Sequence, residues 1–433
     1  MSDSTSPELP PAEGPPSEQP QPRRPVADPK RRRDRVAQSA LGDIMATSGV
    51  MIFLAIVLAL LLGALLVALF NPYVRETLSY FFARPSDTFE AMWRATSSYF
   101  TSLFRGSIYD YQALTFARSI RPLMNTLTNA TPLIFTGLAV GIGFRAGMFN
   151  IGANGQLIVG AIAAVYVGFA FTLPAGIHVL VAILAALLAG GIWGGIVGLM
   201  KAKVNANEVI TTIMLNSIAL YLLTYLLKTP TFIGEGGSPG ISQQIKPSAA
   251  YPSLAGSIYS LHWGFILALL TAALMWWVLE RSTFGFELKA VGANPKAARS
   301  AGMSITRVII ITMALSGALA GLAGTAPGLG TEKFLTVGIA ANYGFDAITV
   351  ALLGRSKPIG IVFAALLFGA LNSGGSLMQA ASGIPVDIVQ VAQAVIVLLI
   401  AAPPLVRAIF RLPTPRDRRV LDNPVGVAPG GAV

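Results

Sequence analysis

An all-α fold is what this sequence predicts: a polytopic membrane protein with about ten transmembrane helices in two inverted repeats. Three observations lead there. Of 433 residues, 54% are hydrophobic and only 12% charged, and mean hydropathy is +0.65, which is not the composition of a soluble domain around one core. Apolar runs of about 20 residues recur along the chain, the length a helix needs to cross hydrocarbon. The 44 Gly suit helices packed in lipid, where small residues let backbones approach.

Residues 1–48 read as a disordered tail, with nine Pro before residue 30 and the basic run Lys30–Arg33 plus Arg35. Such a segment buries too little apolar surface to fold, and its basic end suits an anionic inner leaflet. The apolar run Val50–Phe70 is too long for the core of a signal peptide, and no small-residue cleavage site closes it. The transmembrane domain fills 49–410, and 411–433 is a second tail. Candidate spans are 49–70, 122–143, 154–173, 177–200, 208–228, 261–280, 304–326, 341–354, 357–373 and 386–406.

With the N-terminal tail inside, the segments on its side of the membrane hold 21 of the 31 Lys and Arg, and the other side holds nine. That asymmetry puts both termini in the cytoplasm. It also explains the net charge of +11 without nucleic acid, since no basic groove with interleaved aromatics stands out. The chain has no Cys, hence no disulfide and no thiolate metal site. His178 and His262 lie on or near apolar segments and read as packed or interfacial residues, so no metal is expected.

The chain matches itself. Gly137–Gly143 is similar to Gly317–Gly324, and Ile151–Asn154 to Ile339–Asn342 at nearly the same offset. The two copies run in opposite directions through the membrane, and inverted repeats place a substrate route at their interface.

Polar residues in apolar surroundings mark the candidate site. The stretch Arg145–Gln156 carries Asn150, Asn154 and Gln156 among glycines, which suggests an unwound or half-helical segment. Such backbone survives at membrane depth only when buried in protein or lining a wet route. Carboxamides donate and accept, which suits sugar hydroxyls and nucleobase edges, and Phe144 and Phe149 could stack on a ring. A packed corner with Asn capping is the structural alternative. Gly141, Gly143 and Gly147 do not have dinucleotide-motif spacing and read as helix packing. Asn205, Asn207 and Glu208 read as a cap with an acid in the first turn. Thr212 and Asn216 share a helix face and either bind a neighbouring helix or line the route. Asn342 and Asp346 open a span, where an acid is expensive unless paired or wet; for Asp346 another helix N-cap is the structural alternative. Asn372 and Gln379 bracket Gly374 and Gly375, an expected helix break.

Phe286–Gly302 is a basic polar stretch between two long apolar spans. It reads as a short helix on the cytoplasmic face, through which a chain lacking a soluble domain receives force from a partner. No phosphate-cradling loop, Ser-His-Asp group, paired carboxylates or spaced His pair is present. Neither a catalytic residue nor a cofactor is therefore expected, and ATP would be hydrolysed on another chain.

The stretches Phe144–Gln156, Asn207–Asn216 and Thr283–Gly302 together resemble the permease subunits of bacterial ABC importers of the ribose/nucleoside type, the simple-sugar and branched-chain amino-acid family. The resemblance covers roughly 45–410 and is strongest to the nucleoside permeases. It implies an all-helical permease in the bacterial cell membrane. It also implies an ABC ATP-binding subunit, a second homologous permease forming a heterodimer, and an extracytoplasmic binding lipoprotein that delivers substrate. By this resemblance Phe286–Gly302 is the coupling helix, with Glu287, Ala290, Val291, Gly292, Ala293, Asn294 and Pro295 facing the ATPase. The substrate-binding candidates are Phe149, Asn150, Asn154, Gln156, Asn216, Asn342 and Asp346. A permease for simple sugars such as ribose and an autonomous secondary transporter are the alternatives. The shortage of intramembrane acids for ion coupling speaks against the second.

Overall fold

The computed structural model describes residues 48–256, 258–382, 385, 387–402, 405 and 409–410. The two predicted tails lie outside the described residues, apart from Ser48. In chain order the helices are α1 Ser48–Phe70, α2 Pro72–Leu78, α3 Pro85–Ser107, α4 Phe116–Ser119, α5 Arg121–Arg145, α6 Ala153–Ala170, α7 Ile177–Val204 and α8 Glu208–Leu226. They continue as α9 Pro230–Ile233, α10 Gly264–Arg281, α11 Thr283–Ala293, α12 Pro295–Ser300, α13 Ile305–Thr325, α14 Tyr343–Leu353, α15 Pro358–Ser382 and α16 Asp387–Ala401. Only two isolated β-bridges occur among the described residues.

Each predicted span contains a helix. Eight are long and apolar enough to cross a membrane, while the apolar stretches of α14 and α16 are shorter. At 11 residues, α14 is about 16 Å long, roughly half the hydrocarbon thickness. It is therefore a half-helix. The chain reaches it by a π-helical turn, Ala326–Thr331. The following strand-like segment pairs with 241–246 through Ser242 N–H to the Leu335 carbonyl (3.0 Å) and Ile245 N–H to the Lys333 carbonyl (2.9 Å).

The densest packing is a seam between α7 and α13 built on glycine. A Cβ added at Gly194 would lie 2.8 Å from Gly317 Cα, and one at Gly190 2.7 Å from Gly321 Cα. Nothing larger than hydrogen fits between the two backbones, as expected where lipid gives no hydrophobic drive and close contact must hold the helices. α6 joins the seam, its Ala161 lying against Gly324.

The segment 71–121, in which no span is expected, contains the 23-residue α3. Helix α3 buries Ala91, Ala95, Tyr99, Leu103 and Gly106 against the bundle. Gly374 and Gly375 do not break a helix, because α15 runs through them from Pro358 to Ser382. Gly374 instead makes room for α3: a Cβ there would lie 3.0 Å from Leu103 Cα, and Ser373 Oγ donates to the Gly106 carbonyl at 2.7 Å.

The stretch expected to form one helix over 286–302 forms two. Asn294 (φ −157°) ends α11 and caps α12, its Oδ1 accepting from Lys296 and Ala297 N–H at 3.1 Å. Pro295 lacks the N–H that a continuing helix would need and suits the first helical position.

Candidate functional site

The polar residues fall into three groups. One lines two adjoining cavities. The second locks a loop. The third joins α11 to the bundle.

The first cavity has a volume of about 890 Å3 and lies between α5, α15, the π-helical turn and the segment before α5. Asn125 and Asn129, one helical turn apart on α5, line it with Arg121, Glu332 and Ser376. A second cavity of about 340 Å3 shares Asn129, Tyr343 and Ser376 with the first and reaches Asn342, Asp346 and Gln393. Gln393 Nε2 donates to Asn372 Oδ1 at 3.0 Å, which joins α16 to α15 across the cavity wall. The N-terminus of α14 rests against that of α6: a Cβ added at Gly344 would lie 2.5 Å from Asn154 Cα. Two helix N-termini thus meet beside this smaller, inner cavity, each carrying partial positive charge.

The sequence-selected amides of 150–216 stand elsewhere. Asn150 is buried; its Nδ2 donates to Gln156 Oε1 (2.9 Å) and Ser316 Oγ (2.7 Å), and its Oδ1 accepts from Gly152 N–H (2.9 Å). Ser316 passes the chain on to the Ala139 carbonyl (2.5 Å). Asn216 Oδ1 accepts from Gly155 N–H (2.8 Å) and its Nδ2 donates to the Ile151 carbonyl (3.0 Å). Asn150 and Asn216 thus satisfy backbone groups of the unwound segment between α5 and α6, which would otherwise be orphaned, and Gln156 braces Asn150. The Asn154 Oδ1 is buried without a partner. Phe149 is 54% exposed and packs on Phe144 at 5.0 Å, away from both cavities. Asn207 caps α8, accepting from Val209 and Ile210 N–H, and Glu208 pairs with Lys201 at 2.8 Å. Among the predicted binding residues, only Asn342 and Asp346 line a cavity.

The structure adds Asn125, Asn129, Gln390 and Gln393 to the cavity walls. Their signal in the sequence was spacing: Asn125 and Asn129 at i,i+4, and Gln390 and Gln393 at i,i+3, each pair on one face of an apolar helix. Of the two His, His178 is satisfied by Ser248 Oγ (2.8 Å) and the Val167 carbonyl (3.0 Å). His262 stacks on Tyr251 (5.3 Å) at the wall of the larger cavity. No group of three His, Cys, Asp or Glu that could hold a metal occurs among the described residues.

At the opposite end of the bundle, α11 meets the turn after α5 backbone to backbone. A Cβ added at Gly292 would lie 2.9 Å from the Ala146 carbonyl carbon. Gly147 continues the turn with φ +71°, a left-handed conformation that glycine adopts without steric cost. Glu280, at the end of α10, bridges Arg145 Nη1 and Lys289 Nζ, both at 2.7 Å. Arg145 Nε also donates to the Ser356 carbonyl at 2.7 Å, in the turn between α14 and α15. One charged cluster therefore ties four elements together. Ala293, Asn294 and Pro295 are exposed at this corner, Glu287, Ala290 and Gly292 are half-buried, and Val291 is buried.

A family model described as the permease component of branched-chain amino acid transport systems matches residues 123–402. The chain belongs to this permease family. Among its relatives is the guanosine ABC transporter permease protein NupP of Bacillus subtilis, 43% identical over 286 residues, covering 66% of this chain and 82% of that protein. The glucose ABC transporter permease protein TsgB13 of Haloferax volcanii is 36% identical, covering 72% and 83%. The nucleoside ABC transporter permease protein NupB of Lactococcus lactis is 35% identical, covering 65% and 80%. No solved structure matches. As a family member the chain is a multi-pass membrane protein and the translocating subunit of an ABC importer, not an enzyme. Membership implies an ATP-binding subunit and a substrate-binding protein as partners.

Proposed function

We propose that this chain is one of two homologous permeases of an importer that carries nucleosides across the cell membrane, with both of its termini in the cytoplasm. The observation that carries the reading is the pair of adjoining cavities, walled by carboxamides on otherwise apolar helices. Carboxamides can match both a nucleobase edge and ribose hydroxyls. The names of the guanosine and nucleoside permeases support the substrate class. Two different Bacillus subtilis permeases, NupP and NupQ, resemble this chain at 43% and 28% identity, which supports a heterodimer.

In this reading α11 and α12 form the coupling element. Glu287, Ala293, Asn294 and Pro295 meet the ATPase, while Ala290, Val291 and Gly292 seat the element on the bundle. Asn342 and Asp346 contact substrate. Asn150, Asn154, Gln156 and Asn216 shape the unwound segment at the end of α6, and the two half-turns meeting at Gly344 belong to inverted repeats. A binding lipoprotein delivers substrate to the larger cavity. The basic residues at the Arg145 end support a cytoplasmic location for that end.

A second reading, a sugar importer, is favoured by the glucose permease among the relatives and by the hydroxyl-matching amides. Reconstitution with the ATPase, the second permease and the binding protein separates the two. Uptake of radiolabelled guanosine with no uptake of ribose or glucose is the expected result. Uptake of free sugar alone would reverse the assignment.

A further inference from the structure

We propose that Asp346 reads the substrate, its carboxylate accepting two hydrogen bonds from a pair of adjacent N–H or O–H donors on the molecule being carried. The proposal rests on the nucleoside-importer reading and adds to it the chemistry of the inner cavity.

The unusual feature of that cavity is an uncompensated acid. Asp346 lines it, half-buried, in the first turn of the half-helix α14. Among the described residues its carboxylate makes no ion pair and no side-chain hydrogen bond, and no Lys, Arg or His lines the cavity. The neighbouring polar groups behave differently. Gln393 and Asn372 are bonded to one another, and Arg105 and Asp110 near the larger cavity form an ion pair at 2.8 Å. An acid within a membrane protein is costly unless paired or wet; the N-terminal charge of α14 offsets part of that cost, and no side chain lining the cavity offsets the rest. An ionised carboxylate only accepts hydrogen bonds and has two oxygens side by side. Its natural partner is a pair of donors a few ångströms apart.

Cavity size restricts how such a partner sits. A volume of about 340 Å3 lies at the small end of ligand pockets, with room for the base or the sugar of a nucleoside. Asn129, Tyr343 and Ser376 border both cavities, so the other half of the nucleoside extends into the larger one. A nucleoside offers adjacent donors at either end. A guanine base presents N1–H beside its 2-amino group, and ribose presents its 2′- and 3′-hydroxyls. Both fit the same carboxylate, and substrate analogues tell them apart.

The test uses the complete reconstituted importer. Uptake of labelled guanosine is measured against competing guanosine, inosine and 2′,3′-dideoxyguanosine, for the unmodified protein, Asp346→Asn and Asp346→Glu. Inosine keeps N1–H but lacks the 2-amino group; the dideoxy analogue lacks the hydroxyl pair. A charge-assisted hydrogen bond is stronger than a neutral one, so loss of a donor should weaken competition about tenfold or more in the unmodified protein. Asp346→Asn should abolish that discrimination, while Asp346→Glu should keep the ranking in weaker form. Weak competition by inosine places the base edge on Asp346; weak competition by the dideoxy analogue places the ribose there. An unchanged ranking in Asp346→Asn overturns the proposal. If the variants do not assemble, equal competition by all three compounds in the unmodified protein overturns it as well. Failure of the underlying reading looks different: no nucleoside is carried at all, whatever residue 346 is.

Discussion

Replacing Gly292 by Ala tests whether α11 transmits force through its seat on the bundle. The added Cβ would lie 2.9 Å from the Ala146 carbonyl carbon and 3.0 Å from its Cα, against an ordinary contact of 3.4–4 Å. The neighbours are backbone and cannot swing aside, so α11 must retreat by about 0.5–1 Å. Overpacking of this kind costs about 1–3 kcal/mol. If the strain falls on the state in which α11 pushes, transport per ATP hydrolysed drops about 5-fold to 150-fold, since each 1.36 kcal/mol is a factor of ten. The retreat would also stretch the Lys289–Glu280–Arg145 bridge, now 2.7 Å at both contacts. The assay measures guanosine uptake and phosphate release together, in vesicles holding the whole complex. Leu274→Ile, a change at an exposed position of α10 outside the coupling element, serves as the control and should leave the ratio unchanged. An unaltered ratio in Gly292→Ala, with normal assembly, would refute the reasoning.

Glu280→Gln should weaken the cluster that binds four elements, costing about 1.5–3 kcal/mol as hydrogen bonds to a charged partner are lost; a lower midpoint in detergent thermal unfolding checks it. Asn150→Leu should strand the Gly152 N–H and Gln156 amide in the interior at about 1–3 kcal/mol each, so co-purification with partners falls together with uptake; intact assembly with lost uptake would instead move Asn150 into the substrate route. Cysteines at 240 and 294 should label from opposite sides with an impermeant reagent, 240 from outside; the reverse pattern would invert the topology. The Arg105 hydrogen bond holds the Asp110 carboxyl below its ordinary range. That stabilisation is present above the unfolded-state pKa and is lost as pH falls through the depressed folded value, so Asp110→Asn should flatten the acid side of the stability profile.

Much of this fold was written in hydropathy. Runs such as Ile305–Thr325 can only be helices in lipid, whereas the corner that Asn294 and Pro295 make in 286–302 was read as one helix. Helix α3 has no long apolar run, because Asp87, Glu90, Arg94 and Arg105 interrupt it; only its amphipathic helical period marked it. The site was only half legible. Asn150 and Asp346 look alike in sequence, each a polar residue beside glycine in an apolar region. What separates them is tertiary: Asn150 finds three partners within hydrogen-bond reach, whereas Asp346 faces a cavity. Gly374 misled for the same reason, since the sequence does not say whether a glycine breaks its own helix or admits a neighbour.

The glycine seam between α7 and α13 divides the molecule mechanically. Backbones in direct contact have no side chains to re-pack, so sliding or rotation there would lose contact outright. With α6 fastened to the same seam, these three helices form a stator. The larger cavity borders this block at the π-helical turn that continues α13, and the remaining walls of both cavities lie chiefly among α5, α14, α15 and α16, separated by polar side chains and open volume. Arg145 and Ser356, joined at 2.7 Å, link two of those elements at the far end. Whatever stroke the partners deliver must therefore be taken up by the cavity side, where shifting one helix changes the shape of the route itself.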